Sequence, residues 1–387
     1  MHRRKWLPLA GSVLVAGSVV WVGWRKGDFL LERVPLSLLQ RLAFFFPRSS
    51  RLQYHLGRAW ARQGFSELAV LAWERAAALE PQDPKPFQAL AEQAIQRGDW
   101  PEAEKHLERL LGLNPSAPMA LLLQGEWFWR QGRTEEAIRV WERLLQVRPD
   151  WGEAWYRLGL AYVRWLHYDK AIEALQEAIR REPRRPEPYV ALGWAFSGTG
   201  RMEEALAAFR KALQHQADHP IAHQCIGRLL CLRSPTPTNL REAEAHLRAS
   251  LQARPDSPEA HYWLGRVYLA LNQPSLAEKH FREALGYRPL YAEAHFQLGR
   301  LCLAQGRQEE GKQHLQRFQR IIDLGTEITH LRDRMALDPD NPEWHLRMAR
   351  ALKGLGWKEE ARREYETALK LAPHWEEARR EWEALRP

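Results

Sequence analysis

Cysteine is scarce in this sequence. The 387 residues include only Cys225, Cys231 and Cys302, and no Cys-X-X-Cys pair occurs. Three thiols cannot all form disulfides, and no Cys/His spacing typical of a zinc site is present. On a helix that rises about 1.5 Å per residue, Cys225 and Cys231 lie roughly 9 Å apart, which is too far for a disulfide. The sequence therefore predicts buried, unpaired thiols.

The motifs that commonly accompany catalysis are also missing. The sequence has no glycine-rich phosphate loop, no Gly-X-Ser-X-Gly nucleophile elbow and no His-Glu-X-X-His pattern. We therefore expect a protein without enzymatic activity, cofactor or metal.

Lysine is rare as well, because 46 of the 57 basic residues are arginine. The formal net charge of +9 favours acidic partners such as acidic peptides, anionic lipid heads or nucleic acid. A solvated surface of arginine and glutamate explains the same composition without any partner. Hydrophobic residues make up 45% of the chain and charged residues 27%, which is typical of a folded protein.

One segment near the N-terminus has no charged side chain. It spans residues 6–24, between the basic flank at residues 1–5 and Arg25-Lys26. Nineteen helical residues span about 28 Å, close to the hydrocarbon thickness of a bilayer. We expect a single membrane-spanning anchor, in a bacterial inner or plasma membrane, with the remainder of the chain exported. Two alternatives stay open. Small residues at Ala16-Gly17-Ser18 would allow cleavage as a signal peptide. The chain could also face the cytoplasm, since both flanks of the segment are basic.

Proline recurs at a fixed interval in the remainder of the chain. Steps of 34 residues separate Pro47, Pro81, Pro115, Pro149 and Pro183, and likewise Pro255 from Pro289 and Pro339 from Pro373. A period of this size indicates stacked repeats. In six units, glycine follows leucine or isoleucine at the same position of the repeat. These pairs are Leu56-Gly57, Leu158-Gly159, Leu192-Gly193, Ile226-Gly227, Leu264-Gly265 and Leu298-Gly299. The pattern predicts helix–turn–helix units that bury their apolar faces only by stacking.

One unit shows the full pattern of aromatic, Leu-Gly, Tyr, Ala, bulky apolar, Ala and Pro. Its residues are Trp155, Leu158, Gly159, Tyr162, Ala171, Leu175, Ala178 and Pro183. This arrangement resembles the tetratricopeptide-repeat family, and the resemblance extends from about Ser50 to Trp375. It implies an all-α, right-handed superhelical solenoid whose first helices line a concave groove for other proteins.

We predict nine repeats with a cap at each end. Repeats one to eight are assigned to residues 50–83, 84–117, 118–151, 152–185, 186–219, 220–257, 258–291 and 292–323, and repeat nine to residues 342–375. A juxtamembrane linker with a capping helix is expected at residues 25–49, and a C-terminal capping helix at residues 376–387. Residues 234–238 are expected to form a long loop in repeat six. A helical insertion at residues 324–341 is either continuous or broken near Gly325-Thr326 as a hinge.

The resemblance also implies where a partner binds. Exposed groove positions in that family include the second, fifth, ninth, twelfth and thirteenth of each repeat. Basic and aromatic residues at such positions are Arg58, Arg62, Trp129, Arg130, Tyr156, Arg164, Trp194, Arg228, Tyr262, Arg266, Phe296, Arg300 and Arg350. Arginine grips carboxylates in bidentate fashion, and aromatic rings add rigid contact area. The groove is therefore predicted to bind an acidic peptide or helix, unless its arginines pair with glutamates of neighbouring repeats.

Histidine occupies the fourth position of four consecutive repeats. These residues are His223, His261, His295 and His345. Equivalent helices of adjacent repeats lie about 10 Å apart, whereas ligands of one zinc ion must converge to about 2.0 Å from it. The four rings therefore cannot share an ion, and we expect them to pack where Trp155 and Tyr189 stand in other repeats.

The function predicted from the sequence is a membrane-anchored scaffold that binds an acidic segment of another protein. One alternative is an accessory subunit of an envelope or secretion machine that binds a polyanion, either nucleic acid or polysaccharide. Another is glycan binding through Trp129, Trp194 and Trp263. Nucleic acid is not the expected partner, and the partner's identity and the oligomeric state are not predicted.

Overall fold

The computed structural model describes residues 31–233 and 235–385, and 20 α-helices follow one another within them. The chain divides into two compact units, Met1–Arg201 and Met202–Pro387. The predicted membrane anchor at residues 6–24 lies outside the described residues. Within the described residues, no helix combines the length and the apolar character that crossing a membrane requires.

The first unit contains a short 3₁₀ turn, Leu31–Arg33, and ten helices. They are α1 Leu36–Phe45, α2 Ser50–Arg62, α3 Ser66–Leu79, α4 Pro84–Arg97, α5 Trp100–Leu113, α6 Pro118–Arg130, α7 Thr134–Val147, α8 Gly152–Arg164, α9 Tyr168–Arg181 and α10 Pro186–Gly198. Proline stands at the first position of α4, α6 and α10, where its fixed φ suits a helix and its missing N–H costs nothing. The first helices of repeats one to five therefore begin at the residues where the sequence places the repeat starts.

The second unit also contains ten helices within the described residues. They are α11 Met202–His215, α12 Pro220–Arg233, α13 Pro237–Ala253, α14 Pro258–Ala270, α15 Pro274–Tyr287, α16 Ala292–Ala304, α17 Gln308–Leu337, α18 Pro342–Gly354, α19 Lys358–Leu371 and α20 Glu376–Glu383. Helix α20 lies within the predicted C-terminal cap. Its Ala378 is fully buried against the core around Tyr365.

Close packing of the two helices of a repeat explains the glycine at the eighth position of many repeats, with or without a preceding leucine. A Cβ atom built on Gly125 in α6 would lie 2.1 Å from Nε1 of Trp141 in α7. Trp141 is 1% exposed, and its indole N–H donates to the carbonyl of Leu122 at 3.3 Å. In the second unit a Cβ on Gly265 in α14 would meet Phe281 in α15 at 2.7 Å. Glycine is required because the large ring occupies the space a side chain would need.

The expected loop in repeat six is shorter than predicted. Helix α12 ends at Arg233, and α13 begins already at Pro237. Thr236 caps α13, because its hydroxyl accepts a hydrogen bond from the N–H of Asn239 at 3.2 Å. Pro237, interpreted from the sequence as part of a loop, therefore opens the helix instead. The four extra residues largely lengthen α13 to 17 residues.

The hinge considered near Gly325-Thr326 is absent, because α17 runs without interruption for 30 residues. The hydroxyls of Thr326 and Thr329 donate to carbonyls four residues earlier, Ile322 at 2.9 Å and Gly325 at 3.0 Å. Ile328 and Leu331 are buried in the core shared with α18 and α19. Tertiary packing thus stabilises the helix across a glycine that would weaken it in isolation.

Candidate functional site

The candidate site is built on three first helices of the second unit, α12, α14 and α16. Each turns a glycine toward its second helix, so that an added Cβ would meet a side chain there: Leu247 for Gly227, Phe281 for Gly265 and Leu315 for Gly299. The next residue lies about 100° further around each helix. That residue is Arg228, Arg266 and Arg300 in turn, and we call these three the arginine row. The shared register gives them equivalent positions on successive first helices.

None of the three side chains in the arginine row forms an ion pair within the described part of the chain. Arg228 and Arg266 are partly buried, and Arg300 is exposed. Arg266 lies near enough to Cys231 on α12 that it opposes the rise which burial causes in the pKa of that thiol. In the part of the chain that the structure describes, no carboxylate therefore neutralises the three arginines of the row.

Aromatic rings stand beside two members of the row. The guanidinium of Arg266 is 5.3 Å from the ring of Trp263, and its Nη1 donates to the hydroxyl of Tyr262 at 3.3 Å. The guanidinium of Arg300 is 5.7 Å from the ring of Phe296. Rings at these distances orient a guanidinium and shield one face from water. The surface combines positive charge with rigid apolar contact area.

Arg350, the fourth arginine in the predicted series, is already neutralised. Its guanidinium contacts Glu377, and its Nη2 lies 2.7 Å from Glu381 Oε1, both on α20. The hydrogen bond from Arg350 lowers the pKa of Glu381, whose other oxygen accepts from the hydroxyl of Tyr365 at 2.6 Å. The C-terminal helix thus supplies the carboxylates that pair with the predicted groove arginine of repeat nine.

Arg58 and Arg62 at the start of the first unit hold the 3₁₀ turn. Arg58 pairs with the carboxylate of Glu32, and Arg62 donates to the backbone carbonyl of Glu32 at 3.0 Å. Together with Tyr54 and Glu92 they line an open depression along α2 and α4. Two of the predicted groove arginines therefore stabilise the entry of the chain into the repeats.

A ladder of ion pairs crosses the same face of the first unit further on. Glu126 accepts from Arg130 and from Arg157, at 2.8 Å in both cases. Glu153 accepts from Arg157 at 2.6 Å and also pairs with Arg185. Burial alone would raise the pKa of Glu153, but the hydrogen bonds from Arg185 and Arg157 outweigh burial and lower it. Arg130 is therefore neutralised within the chain.

The remaining predicted residues are mostly tied to neighbours. The guanidinium of Arg164 lies 4.7 Å from the ring of Trp129, and that of Arg185 lies 4.7 Å from the ring of Tyr156. Burial raises the pKa of the Tyr156 hydroxyl. Tyr262 is 5% exposed and packs against Tyr291, while Trp194 is partly buried in α10. The binding roles given to these residues stay predictions.

The sequence left open that arginines pair with glutamates of neighbouring repeats, but it did not identify which glutamates do so in the first unit. The ninth residue of repeat three, Glu126, reaches Arg157, the sixth residue of repeat four, 31 residues later. Scanning for Glu-to-Arg spacings of 31 and 32 residues finds this pair and the Glu153–Arg185 pair.

The fourth-position histidines make the same type of hydrogen bond as Trp155 and Tyr189 make in repeats four and five. Each fourth-position side chain contacts the backbone carbonyl six residues earlier: Trp155 to Pro149 at 2.9 Å, Tyr189 to Pro183 at 2.9 Å, His223 to Ala217 at 2.9 Å, His261 to Pro255 at 3.0 Å, His295 to Pro289 at 3.0 Å and His345 to Pro339 at 2.9 Å. A carbonyl only accepts, so Nε2 of each histidine carries the hydrogen. Their role at this position is to satisfy a carbonyl at the turn between repeats.

The other nitrogen of each histidine has a partner that sequence reasoning missed. Nδ1 of His223 faces Nδ1 of His246 at 2.8 Å, and Nδ1 of His295 faces Nδ1 of His314 at 2.9 Å. His345 meets Glu364 at 2.7 Å instead. In the sequence, each partner follows its fourth-position histidine by 19 residues, or by 23 residues in the lengthened repeat six. This spacing could have identified the pairs. The partners lie on the second helix of the same repeat, whereas the sequence argument considered only adjacent repeats.

Comparison with known protein families identifies the repeat. Models of the tetratricopeptide repeat match residues 89–154, 128–165, 156–220 and 265–322, residues 238–280, and residues 345–374. No curated protein matches the sequence.

Several solved structures are similar in fold. The APC/C hetero-tetramer Cut9-Hcn1 has a TM-score of 0.52 at 16% identity, covering 84% of this chain and 62% of that one. PilF of Pseudomonas aeruginosa has a TM-score of 0.48 at 17% identity, covering 55% and 94%. The human IFIT1 dimer with PPP-AAAA has a TM-score of 0.45 at 16% identity, covering 84% and 91%. At 16% identity, the likeness to Cut9-Hcn1 concerns the fold alone, an all-α helical repeat. The repeat matches together span more than half of the sequence, and the chain belongs to the tetratricopeptide-repeat family.

Proposed function

We propose that the chain is a non-catalytic scaffold whose second unit binds an acidic segment of another protein along the arginine row. The observation that supports this most directly is the set of three arginines without ion pairs among the described residues. Their neighbours Trp263 and Phe296 supply contact area for apolar side chains of the same segment.

The contrast between the two units strengthens the proposal. On the equivalent face of the first unit, Arg58 pairs with Glu32 and Arg130 pairs with Glu126. Two of the four predicted groove arginines of that unit are therefore neutralised by the chain itself, while Arg62 and Arg164 contact a backbone carbonyl and the ring of Trp129. A solvated charge without a partner gains little for stability, and exposed ion pairs are worth about 0–1 kcal/mol each. Three unpaired arginines in one register are better explained by an external carboxylate ligand, which arginine grips with two N–H groups.

The test is a charge reversal of the whole row. Arg228→Glu/Arg266→Glu/Arg300→Glu is expected to weaken binding of a fluorescent Glu/Asp-rich peptide with interspersed aromatic residues by about tenfold or more. Three lost pairs at about 0.5–1 kcal/mol each correspond to at least a factor of ten. Fluorescence anisotropy at fixed ionic strength measures the effect.

The matched control reverses three exposed arginines on second helices of the same unit. Arg241→Glu/Arg320→Glu/Arg363→Glu changes the net charge equally but leaves the row intact, so its peptide affinity should fall by less than threefold. Equal losses in both triple variants would contradict the proposal and leave only non-specific attraction. Tighter binding of an oligoadenylate or a polyuronate than of the peptide, lost in the row variant alone, would favour the polyanion-binding alternative instead.

We further propose that residues 6–24 anchor the scaffold in a bacterial inner or plasma membrane and that the repeats are exported. Support comes from the sequence: an uncharged run of bilayer length between two basic flanks. A tethered scaffold would hold its partner at the membrane surface.

Membrane attachment is tested in isolated membranes with a matched pair of variants. The unchanged chain should resist extraction at alkaline pH, and Leu14→Arg/Val15→Arg should release it, since each arginine near a bilayer centre costs about 2.5–3.5 kcal/mol on insertion scales. Leu14→Ile/Val15→Ile should behave as the unchanged chain. Cleavage of the repeats by protease added to spheroplasts would support export, whereas protection until lysis would support the cytoplasmic orientation.

A further inference from the structure

A cluster of three potential ligands lies between α14 and α15 in repeat seven. Nδ1 of His261 and Nδ1 of His280 are 3.1 Å apart. Oε2 of Glu283 is 3.0 Å from the first and 2.9 Å from the second. The three atoms form a nearly equilateral triangle. An ion placed about 1 Å above its centre would be about 2.0 Å from each atom, the distance zinc requires from nitrogen and oxygen ligands.

The cluster has too few hydrogens for its acceptors. Nε2 of His261 donates to the carbonyl of Pro255 at 3.0 Å, so Nδ1 of the neutral ring carries a lone pair. His280 can place one hydrogen at Nδ1, which faces both that lone pair and the carboxylate of Glu283. One hydrogen cannot satisfy both, and Oε2 of Glu283 is buried without an oriented hydrogen bond among the described residues. A cation at the centre would satisfy all three atoms together.

Surrounding groups hold the two rings in place. The ring of Tyr287 stacks on His261 at 5.7 Å, and that of Tyr268 stacks on His280 at 5.5 Å. The carbonyl of Pro255 fixes the orientation of His261, as such partners do for metal-bound histidines. The side chain of Glu283 is 36% exposed although its Oε2 is buried, so the cluster lies close to the surface of the repeat. The two rings are therefore held in place near the surface.

Neighbouring repeats serve as internal comparisons. Repeat eight has the same pair, His295 and His314, but the residue equivalent to Glu283 is Arg317. One hydrogen shared between Nδ1 of His295 and Nδ1 of His314 satisfies both atoms. The positive charge of Arg317 would also repel a cation. Repeat six has His223 and His246 with alanine at that place. Among the described residues, repeat seven alone groups three such ligands within 4.8 Å of one another.

We propose that His261, His280 and Glu283 bind one divalent transition-metal ion of the zinc type, with water completing the coordination. Two imidazoles and one carboxylate suit zinc far better than magnesium or calcium, which prefer oxygen ligands. The ion would join α14, the helix that carries both His261 and Arg266, to α15.

Zinc binding to the full chain, without a histidine tag and after chelator treatment, tests the proposal. Competition with a chromophoric zinc chelator should give one tight site per chain, unaffected by excess Mg²⁺. Glu283→Gln should weaken that site about 100-fold or more, because it replaces a charged ligand with a neutral amide, and even the loss of an outer-shell partner costs about 10–100-fold. His314→Ala, which alters the matching pair in repeat eight, should leave it unchanged. Equal affinity of the Glu283→Gln variant and the unchanged chain would overturn the assignment.

A second measurement does not depend on the loss of a site. Arg317→Glu supplies the missing carboxylate in repeat eight and should raise the number of tight zinc sites from one to two. With Co²⁺, the unchanged chain should show the visible absorption of a four-coordinate ion, and Glu283→Gln should lose it while its far-UV circular dichroism is retained. A stoichiometry that stays at one in Arg317→Glu, or a Co²⁺ spectrum unaltered by Glu283→Gln, would refute the role given to the carboxylate.

Discussion

Gly125→Val is expected to destabilise the first unit by about 3 kcal/mol, although valine is the better helix former. A Cβ at residue 125 would lie 2.1 Å from Nε1 of Trp141, closer than non-bonded atoms approach. The indole cannot move away cheaply, since it is 1% exposed and hydrogen-bonded to the carbonyl of Leu122. Overpacking of this kind costs about 1–3 kcal/mol or more, which exceeds the few tenths gained in helix propensity. Urea unfolding of the full chain measures the change.

Gly112→Val is the matched control, because a Cβ on that glycine in α5 meets nothing within 4 Å. Its free energy of unfolding should stay within about 0.5 kcal/mol of the unchanged chain. Similar losses at Gly125 and Gly112 would show that helix propensity, and not contact with Trp141, decides the outcome.

The chain itself indicates how the clash could be relieved. Repeat two has Ala91 in place of the glycine and Leu107 in place of the tryptophan, both buried in one core cluster. We therefore expect Gly125→Ala/Trp141→Leu to be more stable than the sum of its two single variants predicts, by about 1 kcal/mol or more. Strict additivity in this double-mutant cycle would contradict direct contact between the two positions.

Regular features of the fold were predictable because each has a local cause. Prolines spaced by 34 residues locate the turns between repeats, and the Leu-Gly pairs locate the close approach of two helices. Two details were not decided by local rules. Pro237 reads as a loop residue but starts α13, and Gly325, where the sequence left a continuous and a broken helix open, lies inside α17. In the second case, burial of Ile328 and Leu331 decides the conformation.

The candidate site was predictable only in part, for a related reason. Position in the repeat selects Arg228, Arg266, Arg300 and Arg350 equally, but their charge state depends on residues far away in sequence. Arg350 is neutralised by Glu381, 31 residues later on a helix outside the repeats. His280 and Glu283 likewise become neighbours of His261 only through the packing of α15 against α14. The position of a residue in its repeat therefore predicts the face on which it lies. Its ion-pair and hydrogen-bond partners depend on the helix that packs against that face.

Ala378→Asp is expected to cost the second unit about 3 kcal/mol or more, through the C-terminal helix α20. Ala378 is fully buried in the cluster that includes Tyr365 and Ala368. A carboxylate there would lose its hydration without gaining a partner, so the helix would undock instead. Undocking would expose Tyr365, now 0% exposed, and release Arg350 from Glu381. Hydrogen exchange of α18 and α19, together with urea unfolding, measures the effect.

Arg380→Gln is the control, since it lowers the net charge by the same unit on the same helix. The side chain of Arg380 is 76% exposed and pairs only with Glu376 at 3.1 Å among the described residues, so the cost should stay below about 0.5 kcal/mol. If α20 instead served only as a loosely attached end, Ala378→Asp would change neither exchange nor unfolding. Release of Arg350 would also extend the arginine row by one member, and acidic-peptide affinity should then rise in Ala378→Asp and not in Arg380→Gln. Such a rise would identify α20 as an internal competitor for the binding surface, whereas unchanged affinity would restrict it to a structural cap.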